Sequence, residues 1–217
     1  MSFCPEHIDD IFVLDMGQIT HILLDNGHGH DTPGKRSPLW SDGSCIEEWA
    51  YTRLLTAAIR NQLEQCGVQV RMITPEDTDT PLYIRTRRVN QIAQAVGPSH
   101  CLLVCVHLNA AREVNSGKGW EVHTSPGNTA SDRYADFFWN EADRRLSGHT
   151  KMRGDYTDGD RDWDSNFYIL QKTSCAAVLT ENLFMNHKED CDFLLSADGF
   201  NSIVDIHVSA ILNIINS

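Results

Sequence analysis

No two cysteines of this 217-residue chain form a C-x-x-C pair, and the seven thiols, at 4, 45, 66, 101, 105, 175 and 191, are odd in number. The paired spacing of a zinc–thiolate site is therefore missing. Cys101 and Cys105 sit inside an apolar run and read as reduced, buried thiols. No apolar stretch approaches membrane-spanning length, so membrane insertion is not expected. The first twenty residues, MSFCPEHIDDIFVLDMGQIT, are acidic and lack the basic start and long apolar middle of a signal peptide. We expect either a protein made in the cytoplasm without one or a secreted protein that has been trimmed. Positive charge is also scarce: 18 Lys and Arg against 30 Asp and Glu leave a net charge of −12. That argues against a nucleic-acid backbone or an anionic membrane surface as the main partner and favours a neutral or mixed-charge substrate. Internal repeats, low-complexity tracts and linkers are absent.

What is present fits one domain with a real core, with residues 1–19 as an N-terminal extension and 20–217 as the folded unit. Strand and helix patterns alternate, which favours an α/β fold. His21–Asp25 is a short apolar strand. Residues 46–66 place Tyr51, Leu55, Ala58, Ile59, Leu63 and Cys66 at helical spacing, closed by Gly67. Val68, Val70 and Met72 alternate as in a strand. Leu82–Val96 reads as a helix stopped by Gly97-Pro98, and residues 101–106, apolar throughout, as a central parallel strand covered on both faces. Trp120–Thr124 reads as a strand, 130–146 as an amphipathic helix and 148–166 as a long loop. Phe167–Leu170 and Ala176–Leu179 read as two more strands, followed by helices near Glu189–Leu195 and Ile203–Ile215.

Three polar residues occupy equivalent places in this scheme. His28 follows the first strand within Gly27-His28-Gly29-His30, His107 follows the run 101–106, and Glu181 follows the strand 176–179. In an open parallel sheet the loops beyond the carboxyl ends of the strands share one edge, where ligands bind. Glu47 and Glu48 open the first long helix, and the loop before them is long enough to bring one of them to that rim. Two histidines and one carboxylate make a catalytic zinc set with a fourth position for water, whose pKa falls from 15.7 to roughly 7 on the metal. A second, free carboxylate then moves the proton to the leaving amine. Taken singly, each residue has a plainer reading as a capping or turn residue. The coincidence of place decides, together with Gly27 and Gly29, which remove Cβ atoms where the backbone turns. The spacing of His28-Gly29-His30-Asp31 does not meet the H-x-H-x-D pattern of metallo-β-lactamases.

DNGHGHDTPGKRSP, the EWAYTR stretch at 48–53, LLVCVHLNA at 102–110 and VLTENLFMN at 178–186 together resemble the zinc-dependent N-acetylmuramoyl-L-alanine amidases of the amidase-3 type, over roughly residues 20 to 215. Arg85 and Asn90 resemble that family's R-x4-N helix, Gly119-Trp120-Glu121-Val122 its G-x-E-V strand, and Arg153-Gly154 its R-G element. The resemblance implies a twisted, mostly parallel six-stranded sheet with helices on both faces. It implies one zinc ion held by His28, Glu48 and His107, zinc-bound water as nucleophile and Glu181 as general acid/base. The reaction would be hydrolysis of the peptidoglycan amide joining the lactyl group of N-acetylmuramic acid to L-alanine of the stem peptide. Asn109, His30, Arg85 and Trp163 are candidate substrate contacts, with Trp40 beside them, and Lys35 or Arg36 could meet a stem-peptide carboxylate. Asn26 stands where many relatives have proline and His30 where glycine is common. The short 111–119 connection leaves no room for the autoinhibitory helix of some division amidases. A zinc peptidase acting within the stem peptide, or a non-catalytic wall-binding module, are the competing readings; oligomeric state is left open.

Overall fold

The computed structural model describes residues 18–217, so most of the expected 1–19 extension, and Cys4 with it, lies outside the described residues. Six strands form one sheet: β1 His21–Asp25, β2 Gln69–Met72, β3 Cys101–Asn109, β4 Glu121–Thr124, β5 Trp163–Asp164 and β6 Ala176–Phe184, in the order β2-β1-β3-β6-β4-β5. All neighbours run parallel except β4 against β6. The helices are α1 Glu48–Gln65, α2 Leu82–Val96, α3 Ala130–Leu146, α4 Tyr168–Lys172, α5 Lys188–Leu195 and α6 Ala197–Ile215.

Alternation along the strands sorts the core into two layers. Ile22 and Leu24 of β1, Leu102, Val104 and Val106 of β3, and Val178 of β6 face the layer that also holds residues of α1, α3, α5 and α6. Leu23, Leu103, Cys105 and Leu179 face the opposite layer, closed by α2 and α4. The sides follow from the handedness of parallel crossovers. The chain steps one way from β1 to β2 through α1 and the other way from β2 to β3 through α2, and right-handed connections in opposite directions place their helices on opposite faces. A crevice opens where the direction reverses, between the carboxyl ends of β1 and β3.

The six-stranded, mostly parallel sheet expected from the sequence is present, but its membership differs at one strand. Phe167–Leu170 is not extended: Tyr168–Lys172 is the short helix α4. Its aromatic and β-branched residues suit a strand, yet Phe167 and Tyr168 are exposed while the adjacent Ile169 and Leu170 are both buried, a helical face rather than a strand alternation. The sixth strand is instead β5, two residues inside the stretch read as loop, held parallel to β4. Strands β3 and β6 also run further than their apolar runs, to Asn109 and Phe184, so His107 and Glu181 lie within strands and not after them.

His207 of α6 is completely buried among these layers, its ring bonded to Thr180 Oγ1 at 2.9 Å and to the Ile203 carbonyl at 2.8 Å. Burial lowers its pKa from the usual 6.5 to about 4. The unfolded chain therefore takes up a proton below about pH 6.5 that the native state refuses until about pH 4, and stability falls as pH drops through that window. The shift corresponds to about 3 kcal/mol. His207→Gln should be destabilised near pH 7.5, with its deficit against wild type shrinking by about 2–3 kcal/mol at pH 4.5 in urea titrations.

Candidate metal centre and active-site cleft

Gly27 and His28 both lie in the left-handed region, at φ +59° and +40°, so the chain reverses sharply as it leaves β1. For histidine this conformation is uncommon and carries some strain. The reversal lifts the His28 imidazole over the crevice beside His107. Their ring centroids are 5.0 Å apart and nearly perpendicular. A Cβ at residue 27 would collide with the His107 ring, and one at residue 29 with the backbone of Thr78 and Asp79. The two glycines are therefore required by close approach, one to the imidazole and one to a neighbouring loop.

Glu48, in the first turn of α1 and 1% exposed, reaches both rings: its Oε1 is 3.3 Å from His28 Nε2 and 3.2 Å from His107 Nδ1, and it accepts from the Leu108 amide at 3.1 Å. Glu47 points elsewhere and accepts from the Trp49 indole at 3.1 Å. One ligand atom from each of His28, Glu48 and His107 lies within 4.8 Å of the other two. Burial works against the Glu48 charge, but the hydrogen bonds from His107 and His28 outweigh it and hold the carboxyl well below the ordinary carboxylate range. Burial likewise opposes charge on His107, yet Glu48 raises its pKa. Glu48 Oε2 is buried with no hydrogen-bond partner. A carboxylate with one oxygen between two imidazoles and the other buried without a partner is a donor set that a divalent zinc ion fits.

Glu181 lies opposite His107 in the β3–β6 register and opposite Glu121 in the β6–β4 register. Its Oε2 is also buried and unpartnered. Burial, reinforced by the charges of Glu48 and Glu121, pushes its pKa up to about 8, against the opposing pull of His107. Two clefts lead away from this centre and share His28, Lys35, His107 and Glu181. The larger, about 470 Å³, has an apolar wall of Leu82, Phe167, Tyr168 and Leu179. The smaller, about 230 Å³, is bordered by Pro33, Asn109 and Ala110.

The other residues singled out from the sequence disperse. Arg85 borders the larger cleft, but its guanidinium is held by Asp25 at 2.9 and 3.0 Å, Asp79 at 3.0 Å and the Thr80 carbonyl at 2.7 Å. Asn109 borders the smaller cleft and donates to Glu121 at 2.8 Å. His30 is exposed, edge-on to Trp49, and lines neither cleft. Trp163 lines neither and donates to the Arg153 carbonyl at 2.8 Å. Trp40 does not border the clefts; its indole packs against the core and donates to Cys191 Sγ at 3.3 Å. Of the lesser motifs, Asn90 bonds Lys172 and Ser174 and so ties α2 to the turn before β6, while Arg153 and Asn109 both bond Glu121. Sequence reasoning missed the Leu82–Phe167–Tyr168 wall, because 167–170 was read as a strand. Asn182 was also missed. It is fully buried and joins the His107 carbonyl at 3.0 Å to the Trp120 indole at 2.9 Å. A polar residue at an inward position of a buried strand is the signal that marks it.

Residues 22–213 match the protein family described as N-acetylmuramoyl-L-alanine amidase. The chain is 27% identical over 198 residues to the N-acetylmuramoyl-L-alanine amidase CwlM of Bacillus licheniformis, covering 90% of this chain and 68% of that protein. It is 28% identical over 200 residues to an endolysin of Bacillus phage SPP1, covering 90% of this chain and 66% of the endolysin. It therefore spans about two thirds of the length of both. Among solved structures, an N-acetylmuramoyl-L-alanine amidase from Clostridium difficile 630 superposes with a TM-score of 0.76 at 20% identity, over 93% of this chain and 99% of that one. The amidase AmiC2 of Nostoc punctiforme superposes at 0.72 and 22% identity, again over 93% and 99%. At these identities the structural likeness establishes the fold.

Gly27→Ala should push the His107 ring out of place and strain a residue at φ +59°. We expect a folded protein whose divalent-metal affinity, measured by chelator competition, drops about 10–100-fold.

Proposed function

Because the chain belongs to the N-acetylmuramoyl-L-alanine amidase family, hydrolases of peptidoglycan, we propose that residues 20–217 are a zinc-dependent catalytic domain cutting the amide between the lactyl group of N-acetylmuramic acid and L-alanine. The observation that carries this reading is the meeting of His28, Glu48 and His107 within 4.8 Å, beside Glu181, whose Oε2 is buried without a partner. In this reading His28, Glu48 and His107 hold one zinc ion. Zinc bound there supplies the positive charge that polarises the scissile carbonyl, acidifies the attacking water and favours the ionised form of Glu181.

The chain's own residues do the rest. Glu181 takes a proton from the attacking water at its carboxylate and delivers it to the departing L-alanine nitrogen, so that the amine leaves neutral. Its burial keeps it basic enough for the first step and ready, once protonated, for the second. Asn182 fixes the end of β3 by donating to the His107 carbonyl, and Glu121 anchors Asn109 and Arg153 at the neighbouring edge. Lys35, exposed on the rim common to both clefts, is placed to meet a carboxylate of the stem peptide. Asn109 is a candidate substrate contact along the smaller cleft. Arg85 supports the floor of the larger one through Asp25 and is not free to bind substrate. His30 and Trp163 lie off both clefts and reach substrate only where it extends past them. The site of action is the cell wall; no helix among the described residues is long and apolar enough to cross a membrane.

Purified sacculi incubated with the protein and zinc should release new L-alanine amino termini. Glu181→Gln should keep the metal and lose activity by a factor of about 10² or more, and His107→Ala should lose both. Fragments with L-alanine still attached to muramic acid would instead identify a stem-peptide peptidase. Binding without cleavage at full zinc occupancy would point to a wall-binding module.

A further inference from the structure

Three successive carbonyls of the turn that carries His28 accept hydrogen bonds from one helix. Thr52 of α1 bonds the Asn26 carbonyl. Arg53 bonds the next two, Gly27 O at 3.4 Å through Nη1 and His28 O at 3.1 Å through Nη2. The same guanidinium donates to Trp49 O of its own helix at 2.9 Å and to Glu76 O, and its Nε lies 3.7 Å from Asp77. The side chain is 14% exposed and its guanidinium lies 5.5 Å from the centre of the Trp49 ring. Arg53 thus ties together the strained Gly27-His28 turn, the 76–77 loop packed against it, and the first turn of α1, which holds Glu48.

Resting on the metal reading above, the geometry points to Arg53 as a positioning residue of the metal centre: its guanidinium fixes where the His28 imidazole stands relative to the Glu48 carboxylate. Arg53 touches neither ring nor carboxylate. It acts on the backbone, by holding the Gly27 and His28 carbonyls, the latter in a residue at φ +40°, which histidine seldom adopts. A guanidinium suits this task because its planar fork serves several carbonyls at once, which a lysine ammonium on a flexible stem does not do in fixed geometry. Groups that orient metal ligands typically change metal affinity about 10–100-fold when removed.

Arg88 supplies the contrast. It bonds Ile73 O and Glu76 from α2, holding the same neighbouring loop, yet makes no hydrogen bond to residues 26–28. The test is the zinc dissociation constant of purified protein by chelator competition, for wild type, Arg53→Ala, Arg53→Lys and Arg88→Ala, with thermal unfolding recorded for each. We expect Arg53→Ala to bind zinc about 10–100-fold more weakly, Arg53→Lys to recover part of that loss, and Arg88→Ala to stay within about twofold of wild type despite comparable destabilisation. Should Arg53→Ala not fold, Arg53→Lys against Arg88→Ala reads the same quantity. A folded Arg53 variant with wild-type zinc affinity, or an equal loss in Arg88→Ala, overturns the inference. A wild type that takes up no zinc overturns the metal reading itself and this inference with it, and the wild-type titration alone tells the two failures apart.

Discussion

A carboxylate taken out of water must be given charge or hydrogen bonds in return, and the Glu48 carboxylate is taken out almost completely. One oxygen is served by two imidazoles and the Leu108 amide, and the other is left buried without a partner. Much of the local architecture is what it takes to assemble that arrangement. Helix α1 must begin at the crevice, β3 must extend past its apolar run far enough to present His107 and the Leu108 amide, and the turn after β1 must double back through two left-handed residues to deliver His28. Removing these partners together would leave an uncompensated buried charge, among the costlier defects a core can carry.

The topology makes the convergence inexpensive in chain length. His28 and His107 come from adjacent parallel strands at the point where the strand order reverses, and Glu181 comes from the next strand over. On their common face these polar ends continue columns of Leu23, Cys105 and Leu179, so the site is a polar cap on an apolar layer. Below it, Asp25 is paired with Arg85 and bonded by Thr74 at 2.8 Å, a buried ionic floor that ties β1 to α2. The larger cleft sets one exposed lysine, Lys35, beside the carboxylates of Asp25, Asp79 and Glu181 and an apolar wall.

The boundaries of β1, α2 and α3 follow from local pattern, because their apolar spacing, stop signals and burial agree. The candidate site was legible for a different reason: glycines, histidines and glutamates stand out at strand ends, and the parallel order says those ends share an edge. What escaped was whatever local pattern does not encode. Phe167–Leu170 has strand-like residues, but the packing of Ile169 and Leu170 under the sheet overrides that preference. The polar ends of β3 and β6 look like loop, yet they pair with each other, His107 against Glu181 and Asn109 against Phe184, and β4 adds Glu121 beside Glu181. The choice between Glu47 and Glu48 turns on a rotation of about 100° around the helix axis, and the long loop before α1 hides it. Arg53, a charged residue on an amphipathic helix, reads as surface until the carbonyls it serves are in view.

The claim that most depends on the rest is that one zinc ion is held by two imidazoles and a carboxylate, with no thiolate. X-ray absorption at the zinc edge of the loaded protein in solution tests it directly. We expect nitrogen and oxygen ligands at about 2.0–2.2 Å with the outer scattering of two imidazoles. A sulfur shell at about 2.3 Å, or an all-oxygen environment without imidazole scattering, would contradict it.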